Sequence, residues 1–273
     1  MKPKIFVLCM MAFLIASCNA PTPATPVPQF ETPVTIATST ADTGGVVTQN
    51  NVTFTLPLGV ANDARSEMVS AVTDTNNAPW WEIAPDHLKF TLTGYQVQDK
   101  AIEPQIFVYP AEEYAKLNTN AGEQIQKLKA ILAGGPLAKE SMPSWVMNAG
   151  QILAAKAQVV PFQNGRGVRF LSQYAQYPAP INNRELVYHF QGLTDDGKYY
   201  IVAVLPVASS ILAEDEKPEA VIPSGGVPLP ASGMPDQAYY DAVTKALDAM
   251  YEDSFNPSLF QLDALIQSIT VTP

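Results

Sequence analysis

Residues Tyr199 to Leu205 read Tyr-Tyr-Ile-Val-Ala-Val-Leu, an apolar run with no polar alternation. A strand of that composition suits a central position covered on both faces, because a solvent-facing side would leave half of it wet. The run follows Asp195-Asp196-Gly197, and before that turn lies a second strand-like stretch, Leu186 to Leu193. The two stretches form a β-hairpin whose turn holds a glycine that tolerates positive φ. The rest of the chain has to supply cover for that hairpin.

Several other stretches have strand character. Val52-Thr53-Phe54-Thr55-Leu56 and Leu88-Lys89-Phe90-Thr91-Leu92 alternate apolar and polar residues, so each reads as a strand with one buried face. Ile106 to Tyr109 is a short apolar strand, and Ile152 to Phe162 and Val168 to Tyr174 flank the hairpin turn Asn164-Gly165. Asn62 to Val72 reads as a short helix, and Asp74 to Pro85 as loop.

Helical spacing appears in three places. From Pro110 the apolar residues Tyr114, Leu117, Ile125, Leu128, Ile131 and Leu132 make one face, with Glu112 and Glu113 set to complement the helix dipole. Gly134-Gly135 ends that stretch, and Gly122 is expected to break or kink it. Asp236 caps a helix carrying Tyr240, Val243, Leu247 and Met250, and Asn256-Pro257 opens a last helix with Leu262, Leu265, Ile266 and Ile269 on one face. The stretch from Pro206 to Asp236 holds six prolines, Gly225-Gly226 and the acidic Glu214-Asp215-Glu216. A loop of that length inside a domain is either functional or disordered.

These elements describe an α+β fold, an antiparallel sheet with a long central hairpin covered by helices. The chain contains 11 Phe, 11 Tyr and 3 Trp with 47% hydrophobic residues, which is ample for such a core. The order resembles the Mog1/PsbP-like sandwich. The likeness is carried by Phe54-Thr55-Leu56-Pro57 in an early strand, a strand-helix unit, the central hairpin and a C-terminal helix near Ser268-Ile269. The stretches Gly167 to Tyr177, Asn182 to Leu186 and Phe190 to Gly197 resemble a family of uncharacterised bacterial lipoproteins, which implies no particular chemistry.

The N-terminus supports the lipoprotein reading independently. Lys2 and Lys4 precede an apolar run from Ile5 to Ala16, the length of a secretory h-region and too short to span a bilayer. It ends in Ile15-Ala16-Ser17-Cys18, which resembles a lipobox and implies removal of residues 1–17 and lipidation of Cys18. Cys9 would leave with the leader, so no disulfide is available to the folded body. Residues 18–45 hold Cys18 and a Pro/Thr-rich stretch with Pro21, Pro23, Pro26, Pro28 and Pro33, read as an extended tether. Residues 46–273 form the single α+β domain. The expected place is the extracytoplasmic face of a cell membrane or outer membrane.

The net charge of −10 disfavours nucleic acid as a partner and offers no attraction to anionic headgroups, so membrane contact falls to the acyl chains. No Gly-x-Ser-x-Gly elbow occurs, since Ser224-Gly225-Gly226 follows Pro223. His87 and His189 stand alone, without metal-ligand spacing, and His189 on the hairpin reads as structural. Gly165-Arg166-Gly167 joins two strands and lacks a third glycine, so it is not a dinucleotide motif. Asp195-Asp196 reads as turn chemistry, and Glu214-Asp215-Glu216 as a solvated loop or a ligand contact without calcium-loop spacing. Neither a cofactor nor a metal is implied.

Trp80-Trp81 between Pro79 and Pro85 is either a stacking platform for a sugar or protein partner, or a closure of the core. Arg166, Arg169 and Arg184 could receive an acidic ligand or pair with the chain's own acids. Candidate ligand-binding residues are therefore Trp80, Trp81, Glu214, Asp215 and Glu216. The leading expectation is a membrane-tethered, non-catalytic binding or assembly domain for an unknown protein or polysaccharide partner. The alternative is a carboxylate-based extracellular hydrolase, which would need Asp or Glu side chains converging in one pocket.

Overall fold

The computed structural model describes residues 43–217 and 219–272, so the expected leader, Cys18 and the part of the tether before residue 43 lie outside the described residues. Strands β1 (Thr43–Gln49) and β2 (Val52–Pro57) form an antiparallel hairpin, with Asn50 at φ 51° in its turn. β1 takes in residues 43–45, which the sequence reading placed in the tether. Strand β3 (Asp63–Val69) replaces the helix expected over Asn62 to Val72. The segment has helix-forming residues, but β4 (His87–Thr93) presents an open edge whose hydrogen-bonding groups β3 satisfies along seven paired residues. A cross-strand ion pair, Glu67 to Lys89 at 2.7 Å, lies on that pairing. β5 (Gln105–Pro110) follows and leads into helix α1 (Ala111–Leu117).

The helical stretch breaks at Asn118 and not at the expected Gly122. The backbone of Asn118 is extended, and its side chain accepts from the Ala121 amide at 3.2 Å, so it ends α1 and caps α2 (Thr119–Leu132). Gly122 instead allows close packing, since a Cβ there would meet the Ala115 carbonyl oxygen at 3.1 Å. Gly134, at φ 97°, stops α2 as expected.

The short β6 (Gly150–Gln151) precedes β7 (Ala155–Phe162), β8 (Gly165–Ser172) and the short β9 (Tyr174–Ala175), which pairs with β6. The central hairpin is β10 (Val187–Thr194) and β11 (Tyr199–Pro206). Then come β12 (Ala208–Ser209), α3 (Gln237–Asp248), β13 (Phe255–Asn256) paired with β12, α4 (Leu259–Gln267) and β14 (Thr270–Val271). Asp236 caps α3 as read from the sequence, accepting from the Tyr239 amide at 2.9 Å, and Ser258 with Gln261 makes a capping box for α4.

The fold is mixed α+β. Its main sheet has seven strands in the order β3-β4-β5-β11-β10-β8-β7, every pair antiparallel, so the apolar strand β11 is the central one. Side chains alternate between two cores. Tyr200, Val202 and Val204 meet α1 and α2 through Tyr114, Ile125, Leu128 and Ile131. Ile201, Ala203 and Leu205 join the opposite core, which is built from α3, α4 and the small sheet β1-β2-β14. Cover on both faces is what permits an unbroken apolar strand at the centre.

Candidate functional site

The Pro206–Asp236 segment is tied down at both ends and arches over a cavity between them. Asn183 holds its start: the side chain donates to the Ser209 and Leu212 carbonyls at 3.0 and 3.1 Å and accepts from the Ser209 amide at 2.7 Å. The amides of Asn183 and Arg184 donate to the carbonyls of Ala213 and Glu214 at 2.8 and 2.9 Å. At the far end the Asp236 cap fixes α3, and two tyrosines of α3 staple the 177–183 loop. Tyr239 Oη accepts from the Ile181 amide at 3.0 Å, and Tyr240 Oη donates to the Ala179 carbonyl at 3.0 Å. Between these clamps lies a cavity of about 410 Å³ whose wall includes Ile211, Ile222, Val227, Leu229 and Val243. Its size falls in the range of small-ligand sites.

The mouth of the cavity is acidic. Asp215 pairs with Lys217 at 2.7 Å, and the hydrogen bond from that ammonium holds the carboxyl below its ordinary value. Glu216 accepts from the Tyr177 phenol at 2.5 Å, which pushes that phenol up. Behind them Glu185 accepts from Gln173 at 2.8 Å and Asn182 at 3.3 Å. Burial raises the Glu185 carboxyl and the nearby charge of Glu216 raises it further, against the hydrogen bond from Asn182. Around the opening Tyr177, Ile222 and Met234 are exposed, Met234 by 59%. Large apolar side chains grouped at one opening mark an interaction surface more strongly than the same residues scattered singly.

A second concavity of about 320 Å³ is polar and lies where β7 bulges between Ala155 and Gln158. Lys156 sits in the bulge at φ 55°, a left-handed conformation that costs an L side chain energy. Arg169, only 1% exposed, donates to the Lys156 carbonyl and to Gln158 Oε1 at 2.8 Å. Glu252 lies 3.4 Å from the Lys156 ammonium and 3.8 Å from the Arg169 guanidinium, while Asp248 accepts from the Lys156 amide at 2.5 Å. Carboxylates do converge here, but each is engaged by the chain's own donors. Arg169 thus takes the pairing alternative among the three arginines considered, whereas Arg166 and Arg184 are exposed.

His189 is structural in its surroundings. Its ring is buried on the α1/α2 side of β10, with Nε2 2.7 Å from Gln191 Nε2 and Nδ1 3.1 Å from Tyr174 Oη. Gln191 Nε2 can only donate, so Nε2 of His189 accepts and Nδ1 carries the proton. Burial pushes its pKa down to about 3, which keeps the ring neutral. His87 is also buried, its Nδ1 2.8 Å from the Pro85 carbonyl.

Of the residues singled out from the sequence, Asp215 and Glu216 line the apolar cavity. Glu214 lies beside it, held through its carbonyl by the Arg184 amide. Trp80 and Trp81 line neither concavity: their rings meet edge to face at 5.7 Å, Trp80 is 45% exposed, and its carbonyl accepts from Asn118 at 2.8 Å. Tyr177, Glu185 and the apolar wall were not foreseen, because they come from segments that no local pattern joins. Among the described residues there is no cluster of three or more His, Cys, Asp or Glu able to hold a metal ion, and no helix is long and apolar enough to cross a membrane. No family model matches the chain, and neither a curated protein nor a solved structure matches it.

Proposed function

We propose that the chain is a lipid-anchored extracytoplasmic lipoprotein, tethered through Cys18 to a cell membrane or outer membrane, whose folded body binds a ligand or partner without transforming it. The observation that carries the binding reading is the 410 Å³ apolar cavity under the Pro206–Asp236 segment, with Asp215 and Glu216 at its mouth. A long segment held at both ends over a rigid sheet is where binding sites are commonly built. The resemblance of the element order to the Mog1/PsbP-like sandwich accords with this reading as an analogy of fold. The partner is a protein, a polysaccharide or a smaller molecule, not a nucleic acid.

The test is site-specific photocrosslinking in the native envelope. A benzophenone amino acid at Ile222, on the cavity's exposed rim, should yield a defined adduct, whereas the same group at Lys116 on α1 should not. Absence of any adduct at Ile222, with the chain folded and abundant, would remove the cavity from consideration as the site.

A hydrolase reading is favoured by one observation, the convergence of Asp248 and Glu252 in the polar concavity. Carboxylate catalysis needs one group free to carry a proton and another free to attack or to activate water. Glu252 is within ion-pair distance of both Lys156 and Arg169, and Asp248 accepts from the Lys156 backbone, which disfavours that role.

A further inference from the structure

The cavity and its mouth are chemically unlike each other, and together they describe a ligand. We propose that the site takes an apolar molecule bearing one positive charge, its hydrocarbon part enclosed by the wall of Ile211, Val227 and Leu229 and its cationic group held at the mouth by Glu216, against the face of the Tyr177 ring. This deepens the binding reading above and rests on it.

The argument is one of charge complementarity. Three cations stand near the mouth: Lys217 is taken by Asp215 at 2.7 Å, Lys100 is occupied by the Asn183 carbonyl at 2.5 Å and acts on Glu214, and Arg184 acts on Asp215 and Glu185 from beyond ion-pair distance. Glu216 and Glu185 have no ion-pair partner among the described residues. Residues 214–219 hold four acids and one lysine, and the chain as a whole carries −10, so the field at the mouth favours a cation and opposes an anion. One oxygen of Glu216 accepts from Tyr177, whose exposed ring adds a face on which an ammonium can rest. The wall beyond offers no charge of either sign, so a ligand charged at both ends would leave one end desolvated and unpaired. An amine or other single cation on a hydrocarbon body satisfies both regions.

The experiment uses the mature chain, residues 18–273 with Cys18→Ser so that no acyl group competes, and three probes of equal length: decylamine, decanol and decanoate. Binding is followed by calorimetry at pH 7 and low salt, below the aggregation limit of each probe. Decylamine should bind about tenfold more tightly than decanoate, with decanol between them, and added salt should narrow the gap. Glu216→Gln should bring the three together and Glu216→Lys should reverse their order. Leu229→Trp, which fills the cavity, should abolish binding of all three. Equal binding of the three probes, or a preference for decanoate, in the unaltered chain overturns the charge assignment while leaving the cavity as a binding site. Binding of none overturns it as well, and the Ile222 crosslink then reports separately on whether the cavity binds anything. A preference that survives both Glu216 substitutions, in variants that melt like the parent, overturns the placement of the cation.

Discussion

Arg169 of β8 and Asp263 of α4 face each other at 3.3 Å across the core, Nε to Oδ1. The carboxylate also accepts from the Tyr188 hydroxyl at 2.7 Å, so three residues from two strands and a helix share one buried polar knot. Arg169 Nε lies within ion-pair distance of Asp263 yet has no well-aligned hydrogen-bond acceptor. The pair therefore orients α4 against the sheet largely through charge.

Breaking the pair from one side should be costly. Arg169→Met strands the Asp263 carboxylate in the core, a change expected to lose about 3 to 5 kcal/mol in urea unfolding at pH 7. Burial holds the Asp263 carboxyl above its ordinary 3.8, against the opposing pull of Arg169. A carboxyl raised in the folded state contributes stability that is present below 3.8 and lost as pH rises through the folded value. Without Arg169 that value rises further, so the penalty should be smaller at pH 4 than at pH 7. An equal penalty at both pH values would show that the charge of Asp263 is not what the arginine offsets.

His189 should resist protonation and then destabilise the fold in acid. Its pKa falls from 6.5 to about 3 on folding, so its contribution is complete above pH 6.5 and is lost as pH drops through 3. The full span corresponds to a loss on the order of 5 kcal/mol. Nitrogen NMR should show a neutral, Nδ1-protonated ring at pH 5. Thermal melts of His189→Gln should have a shallower acid slope than the parent between pH 6.5 and 4.

Gly167 and Gly192 are paired across β8 and β10 beside the Phe190 ring. A Cβ at Gly167 would meet the Gln191 carbonyl oxygen at 2.2 Å and Phe190 Cζ at 2.5 Å; one at Gly192 would meet the same ring atom at 2.6 Å. Gly167→Ala should therefore destabilise by roughly 1 to 3 kcal/mol through forced repacking. Gly45→Ala, with open space around its Cβ, should leave the urea midpoint nearly unchanged.

Lipidation at Cys18 predicts that labelled palmitate enters the parent chain and is absent from Cys18→Ala. Continued labelling of that variant would place the anchor elsewhere.

The hairpin Val187–Pro206, the strand at β4, the Asp236 cap and the stop at Gly134 were legible because each is a local matter. Periodicity, turn residues and caps act within a few positions of one another, so a linear reading suffices. The Asn62–Val72 stretch was misread for the complementary reason: its backbone conformation is decided by the edge of β4, some twenty residues downstream, and local preference is too weak to resist that pairing.

The same division separates the scaffold from the site. The apolar run of β11, the charge and the Cys18 motif belong to the sequence alone, since hydrophobicity, charge and short motifs need no partner to be read. The acidic run at 214–216 was visible too, but not that Asp215 and Glu216 border an apolar cavity. Tyr177, Val227 and Val243 meet around that cavity only because Asn183 and the two tyrosines of α3 fasten three distant segments together. Contacts between segments far apart in the chain are selected by packing and hydrogen-bond satisfaction in three dimensions, and it is the tertiary structure that turns a proline-rich, acidic stretch into the wall of a cavity.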